Sequence, residues 1–134
     1  MKFKCYDTCS LLLQAEQLFE EEKEEYKIVI SSIVLEELEN IKTSFNKDIE
    51  TKISARKVLQ KLNQNPDKIE LVLYKEIMSV IFHDAYTLTN DLKIISCIYS
   101  FLNTHPEDEV IFITNDLLCK HFAKLYLPTV EEIV

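Results

Sequence analysis

The 134-residue sequence contains no glycine. That absence excludes the Walker-type phosphate loop and the glycine-rich dinucleotide turn, because both need residues without a Cβ where the backbone closes on phosphate. Long apolar runs are missing too, so a membrane span is not expected. Met1-Lys2 leads straight into strand-like residues with no separate apolar segment or small-residue cleavage site, which predicts no signal peptide and a cytoplasmic location. Positive charge is scarce: 15 Lys and Arg face 23 Asp and Glu, a formal net charge of −8. Such a balance argues against broad polyanion binding through a basic surface. It is compatible with carboxylates that gather divalent cations, because the cation then supplies the positive charge a phosphodiester needs.

The four cysteines, Cys5, Cys9, Cys97 and Cys119, form no Cys-x-x-Cys pair, and His83, His105 and His121 are scattered. No structural zinc is expected, and each cysteine reads as a reduced, small hydrophobe in an apolar segment. What is present is globular in character, with 47% hydrophobic and 28% charged residues. The length predicts one domain over residues 1–134. The run Glu20-Glu21-Glu22-Lys23-Glu24-Glu25 reads as a solvated helix end.

Val110-Ile111-Phe112-Ile113 is a continuous apolar run that meets Thr114-Asn115-Asp116 and then an amphipathic stretch. It predicts a buried strand ending at a carboxylate, followed by a helix to about Lys124. Residues Lys2 to Asp7 repeat that plan, with a helix expected from Cys9 to Lys23 whose buried stripe is Leu11, Leu12, Ala15, Leu18 and Phe19. A strand at Tyr26 to Ile30 is followed by a helix capped by Ser31 or Ser32, with Leu35, Leu38 and Ile41 or Lys42 on one face. A longer helix, Asp48 to Asn63, is expected to bury Ile49, Ile53, Val58, Leu59 and Leu62.

Ile69 to Tyr74 predicts an edge strand, because Glu70 interrupts its apolar alternation. Lys75 to Leu88 reads as irregular with a short helix. A heavily buried helix then runs from Thr89-Asn90-Asp91 to just before His105-Pro106, and Leu125 to Val130 adds a short last strand. Strands alternating with helices predict an α/β protein in three layers, α/β/α, with a parallel sheet of four to five strands.

Asp7, Glu37 (beside Glu36), Asp91 and Asp116 all fall at strand ends or early in helices. Any one of them is explained by capping and the helix macrodipole. Two parallel strands, however, deliver Asp7 and Asp116 to the same sheet edge, where α/β sheets build their sites. Clustered carboxylates repel, and a bound cation resolves the repulsion. Oxygen ligands without histidine or cysteine suit magnesium or manganese, the cations of phosphodiester hydrolysis.

The ordered segments Asp7-Thr8, Ile33-Val34-Leu35-Glu36-Glu37-Leu38-Glu39, Asn90-Asp91-Leu92-Lys93-Ile94-Ile95 and Ile113-Thr114-Asn115-Asp116 resemble those of PIN-domain nucleases over nearly the whole chain. Val34 to Lys42 and Ala55-Arg56-Lys57-Val58-Leu59 look most like the PIN modules that precede PhoH-type ATPase domains, although no ATPase domain lies within these residues; Ser31-Ser32 stands where the family often has proline.

The resemblance implies a metal-dependent (endo)ribonuclease, a hydrolase using Mg2+ or Mn2+ held by Asp7, Glu37, Asp91 and Asp116. It favours Glu37 over Glu36 because the family's glutamate directly precedes an apolar residue, here Leu38. It further implies that Thr114, Thr8 and Asn115 orient a carboxylate or a water. Lys42, Lys47, Lys52, Arg56, Lys57 and Lys61 gather mid-chain, where they could grip RNA phosphates or simply cover a solvated helix face; Lys93 is a further candidate phosphate contact and Asp84 an auxiliary ligand.

The alternative reading is a catalytically weak or inactive PIN-like module that binds RNA or protein. Partners consistent with the resemblance are an RNA substrate, a second copy in a homodimer, and an antitoxin or other protein, with no membrane. A receiver-type phosphoacceptor fits poorly, because the third strand ends at Tyr74 without an aspartate.

Overall fold

Strands β1 (Lys2–Tyr6) and β4 (Glu109–Ile113) pair in parallel, with Tyr6 opposite Ile113. Val110, Ile111, Phe112 and Ile113 are all buried, which requires cover on both faces of the sheet. The computed structural model describes residues 1–20, 25–75 and 88–133. Around the central pair lie α1 (Thr8–Leu13), β2 (Lys27–Ser31), α2 (Ser32–Thr43), α3 (Ile49–Gln64), a 3-10 turn (Pro66–Lys68), β3 (Ile69–Val72), α4 (Asn90–Thr104), α5 (Leu117–Tyr126) and β5 (Val130–Glu131).

The sheet order is β3-β2-β1-β4-β5 and every pairing is parallel. The order reverses direction at β1, so right-handed crossovers send α1, α2 and α3 to one face and α4 and α5 to the other. This is the expected three-layer α/β/α arrangement, with β3 at an edge. Carboxyl ends of β1 and β4 meet at the reversal point, where such sheets open a crevice.

Two helix expectations need correction. The first helix ends at Leu13 rather than Lys23, and residues 14–20 continue as turns. Leu11, Ala15 and Leu18 are buried nonetheless, and Leu12 and Phe19 pack partly against the core. Closing those turns places Phe19 at φ 63°, a left-handed conformation that costs an L-residue roughly 1–2 kcal/mol. With no glycine in the chain, a bulky residue held by its ring against the core takes that position.

In α3, Ala55, Val58 and Leu62 are buried as the period requires, but Ile49 and Ile53 are exposed. The helix outruns the sheet it covers. Its 16 residues span about 24 Å, whereas β3 has only 4 residues, about 13 Å of strand.

Helix α4 buries Leu92, Ile94, Ile95, Ile98 and Phe101, and Thr89 caps it by accepting from the Leu92 amide at 3.3 Å. Cys5, Cys97 and Cys119 are buried free thiols, whereas Cys9 is exposed, contrary to the expectation that it packs as a small hydrophobe. Among the described residues no helix is long and apolar enough to cross a membrane. The expectations for Glu21 to Glu24, for the stretch 76–87 and for His83, Asp84 and Tyr86 lie outside the described residues.

Candidate functional site

Asp7 leaves β1 at the point where the chain turns into α1. Its Oδ1 accepts from the Ser10 amide at 2.9 Å and so caps the helix; its Oδ2 accepts from the Thr114 hydroxyl at 2.6 Å. The carboxylate is only 4% exposed and Thr114 is fully buried. The β1–β4 register dictates this contact, since Tyr6 opposite Ile113 sets the next residues side by side. Thr114 Oγ1 also accepts from the Asp116 amide at 3.1 Å. One buried hydroxyl thus ties both strand ends together.

Asp116 is exposed and caps α5, with Oδ1 accepting from the Cys119 amide at 2.8 Å. Glu37, on α2, is half-buried, and its Oε1 accepts from the Thr8 hydroxyl at 2.8 Å. Glu36, its neighbour, points into solvent. Asp91 enters from the opposite layer, on the first turn of α4. Its carboxyl is pushed up to about pKa 6, first by burial and then by the charges of Asp116, Asp7 and Glu37. That response puts the other three acids within electrostatic reach of Asp91.

Cys9 was missed by reading the sequence, because its spacing matches no metal or nucleophile motif. Cys9 is exposed as a residue, but partial burial of its thiol and then the charges of Asp7, Glu37, Asp91 and Asp116 raise the thiol pKa, so it sits near the four acids as a neutral group. The roomy groove between α2, α3 and β3, lined by Ile30, Leu35, Leu59 and Leu71 among others, contains none of the four.

The other candidates divide. Asn115 is exposed, and its Oδ1 accepts from the Ile133 amide at 2.8 Å, tying down the tail. Lys42 pairs with Glu39 at 2.9 Å, and Lys93 lies over the Tyr74 ring at 5.5 Å. Lys57 pairs with Glu16, and Lys61 pairs with Glu20 at 3.2 Å. Arg56 is exposed.

Among the described residues, no three His, Cys, Asp or Glu side chains are close enough to make a ready cation cage. The donor chemistry still fits a hydrated hard cation: the converging groups are carboxylates, and magnesium or manganese keeps several waters while binding through one or two of them. Asp116 Oδ1 accepts from the Cys119 amide and Glu37 Oε1 from the Thr8 hydroxyl, which leaves the second oxygen of each to face a cation or its waters.

These observations define the class of protein as an α/β domain with an all-parallel sheet and acids gathered at its carboxyl edge. The PIN domain family model matches residues 5–130, so the chain belongs to the PIN-domain family, whose members are typically metal-dependent nucleases. Comparison with curated proteins finds no match. Among solved structures, the chain is similar to "a domain of a functionally unknown protein from Methanocaldococcus jannaschii DSM 2661". The two share 20% identity at a TM-score of 0.67, covering 100% of this chain and 92% of that one, a likeness of fold.

Proposed function

We propose that this PIN domain is a divalent-metal-dependent ribonuclease that hydrolyses RNA phosphodiester bonds in the cytoplasm. Asp7, Glu37, Asp91 and Asp116 are its catalytic carboxylates and would hold Mg2+ or Mn2+. The observation that carries this reading is the gathering of acids at the carboxyl edge, where burial and then the charges of Asp116, Asp7 and Glu37 raise the pKa of Asp91. A cation bound there would supply Lewis acidity for attack by water and offset the charge that builds on the phosphate.

The chain's own residues orient and insulate. Thr114 and the Ser10 amide fix Asp7, Thr8 turns Glu37 inward, and the Cys119 amide holds Asp116. Fixed carboxylates need no reorganisation when charge develops on the substrate. Asp91 takes up a proton near pH 6 in the cation-free protein, so protons compete with cations below that pH. Likeness to the modules that precede PhoH-type ATPase domains belongs to this reading, as do the single domain over residues 1–134 and partnership with a second copy or an antitoxin.

A second reading, a binding module with little or no activity, draws on one feature. Both oxygens of Asp7 already have protein partners. Incubating the protein with single-stranded RNA and manganese separates the two readings. We expect cleavage by wild type and Glu36→Gln, with at least a ~100-fold loss in Asp7→Asn and Asp116→Asn, the scale of losing one preorganised charge stabiliser. Equal cleavage by those two variants would sink the site assignment; no manganese binding and no cleavage with any divalent ion would favour the second reading.

A further inference from the structure

Phe45, in the link between α2 and α3, is 99% exposed, and Ile49 and Ile53 on α3 are 74% and 50% exposed. Isolated exposed hydrophobics are ordinary, but these lie together. Ile49, Lys52, Ile53 and Arg56 have helical spacing i, i+3, i+4, i+7 and so share one face of α3. Lys52 Nζ lies 5.9 Å from the Phe45 ring centroid, which brings the ring beside that face.

The cations of this tip differ from those further along α3. Lys57 and Lys61 are taken by Glu16 and Glu20. Among the described residues, Lys47, Lys52 and Arg56 form no salt bridge. Of the two nearby acids, Asp48 is engaged as the α3 cap, accepting from the Thr51 amide at 2.7 Å, and Glu50 is exposed. Lys47 also lies in the field of the Asp48 carboxylate, so the tip sets three cations against two acids, a small positive excess around an exposed aromatic ring on a chain of net charge −8.

It also lies on the side of the four carboxylates. Gln64 ends α3 just before the turn that starts β3, so the C-terminal end of the helix is at the amino edge of the sheet. Lys57 and Lys61 contact Glu16, Leu18 and Glu20, beyond the end of α1. Ile49 stands at the other end of the helix, about 20 Å away, on the carboxyl-edge side. Glu37 sits on α2, six residues before that helix ends at Thr43.

We propose that this α2–α3 tip is a docking platform for single-stranded RNA, with a base stacked on Phe45 and phosphates drawn to Lys47, Lys52 and Arg56. An exposed aromatic set among cations is the pattern that holds single strands, since every base has a face to stack and every linkage a charge. A second copy of this chain is a poorer occupant, because a two-fold contact would set the same cations against each other. The inference rests on the nuclease reading for its purpose, but its test does not depend on catalysis.

The test is fluorescence anisotropy of a labelled oligouridylate with the full chain, in EDTA and at low salt so that nothing is cut. We expect Phe45→Ala to weaken binding about tenfold, within the range measured for one lost stack. Lys52→Ala/Arg56→Ala should lower the slope of log K against log salt by about 1.4, or 0.7 per phosphate; Lys57→Ala, already occupied by Glu16, should change neither. None of the four positions is buried, so folding is not at stake.

Wild-type affinity in Phe45→Ala and in the double variant would overturn the proposal, as would failure of wild type to bind. So would a Phe45→Ala protein that changes its self-association but not its RNA affinity, which marks a protein interface. Binding that follows the expected pattern without manganese-dependent cleavage would leave this platform standing and remove the nuclease reading. Cleavage that Phe45→Ala leaves untouched, together with unchanged affinity, would do the reverse.

Discussion

Replacing Asp91 with asparagine should stabilise the cation-free protein at neutral pH. Asp91 moves from 3.8 to about 6 through burial and the charges of Asp116, Asp7 and Glu37. A two-unit shift corresponds to about 3 kcal/mol at 1.36 kcal/mol per unit, and partial solvent access reduces that to roughly 1–2 kcal/mol. Against it stands the favourable position of an anion on the first turn of α4, worth about 0.5 kcal/mol. The net expectation is stabilisation of about 1 kcal/mol, or a Tm higher by roughly 3–5 °C for a chain of this size.

The pH dependence fixes the sign. Because the folded-state pKa is raised, the folded protein holds this proton more tightly than the unfolded chain does. The group's stabilising effect is therefore complete below about pH 4 and lost as pH rises through about 6. The gap between Asp91→Asn and wild type should open over that window and close on acidification. Thermal melts in EDTA at a series of pH values measure it. A variant that melts below wild type at neutral pH, or a gap that widens toward acid, would refute the electrostatic account. Adding manganese should then favour wild type, since a cation that binds only the folded state stabilises it in proportion to its affinity.

Thr114→Val should cost about 1–3 kcal/mol in urea unfolding, because it leaves buried Asp7 without its 2.6 Å donor and the Asp116 amide without its acceptor; a loss under about 0.5 kcal/mol would show that water replaces the hydroxyl. At Phe19, with φ 63°, glycine should be more stable than alanine by about 1 kcal/mol, the reverse of their order in helices. Both variants lose the ring equally, so chemical denaturation of the pair isolates the backbone cost, and alanine matching or beating glycine would contradict it.

Much of the fold was legible locally. Apolar runs bounded by capping residues specify β4, β1 and the helices after them, and the caps Ser31, Asp48, Thr89 and Asp116 accept from the amides their positions demand. The edge position of β3 was legible in Glu70, because a charge within a strand needs solvent. The end of α1 was not, since apolar spacing continues through Leu18 while the backbone has already left the helix. Nor was the exposure of Ile49 and Ile53: period tells which residues share a face, but not whether a neighbour covers it.

The sequence by itself determined that the chain is α/β and that Asp7 and Asp116 end parallel strands, because backbone preferences and apolar period act over a few residues. Tertiary structure decided what those carboxylates meet. Only the β1–β4 register sets Thr114 against Asp7, only packing brings Thr8 to Glu37 from 29 positions away, and only the opposite layer carries Asp91 into the field of the other three. Charge interacts through space rather than along the chain, so the site's electrostatics and the company Cys9 keeps emerge when the layers close.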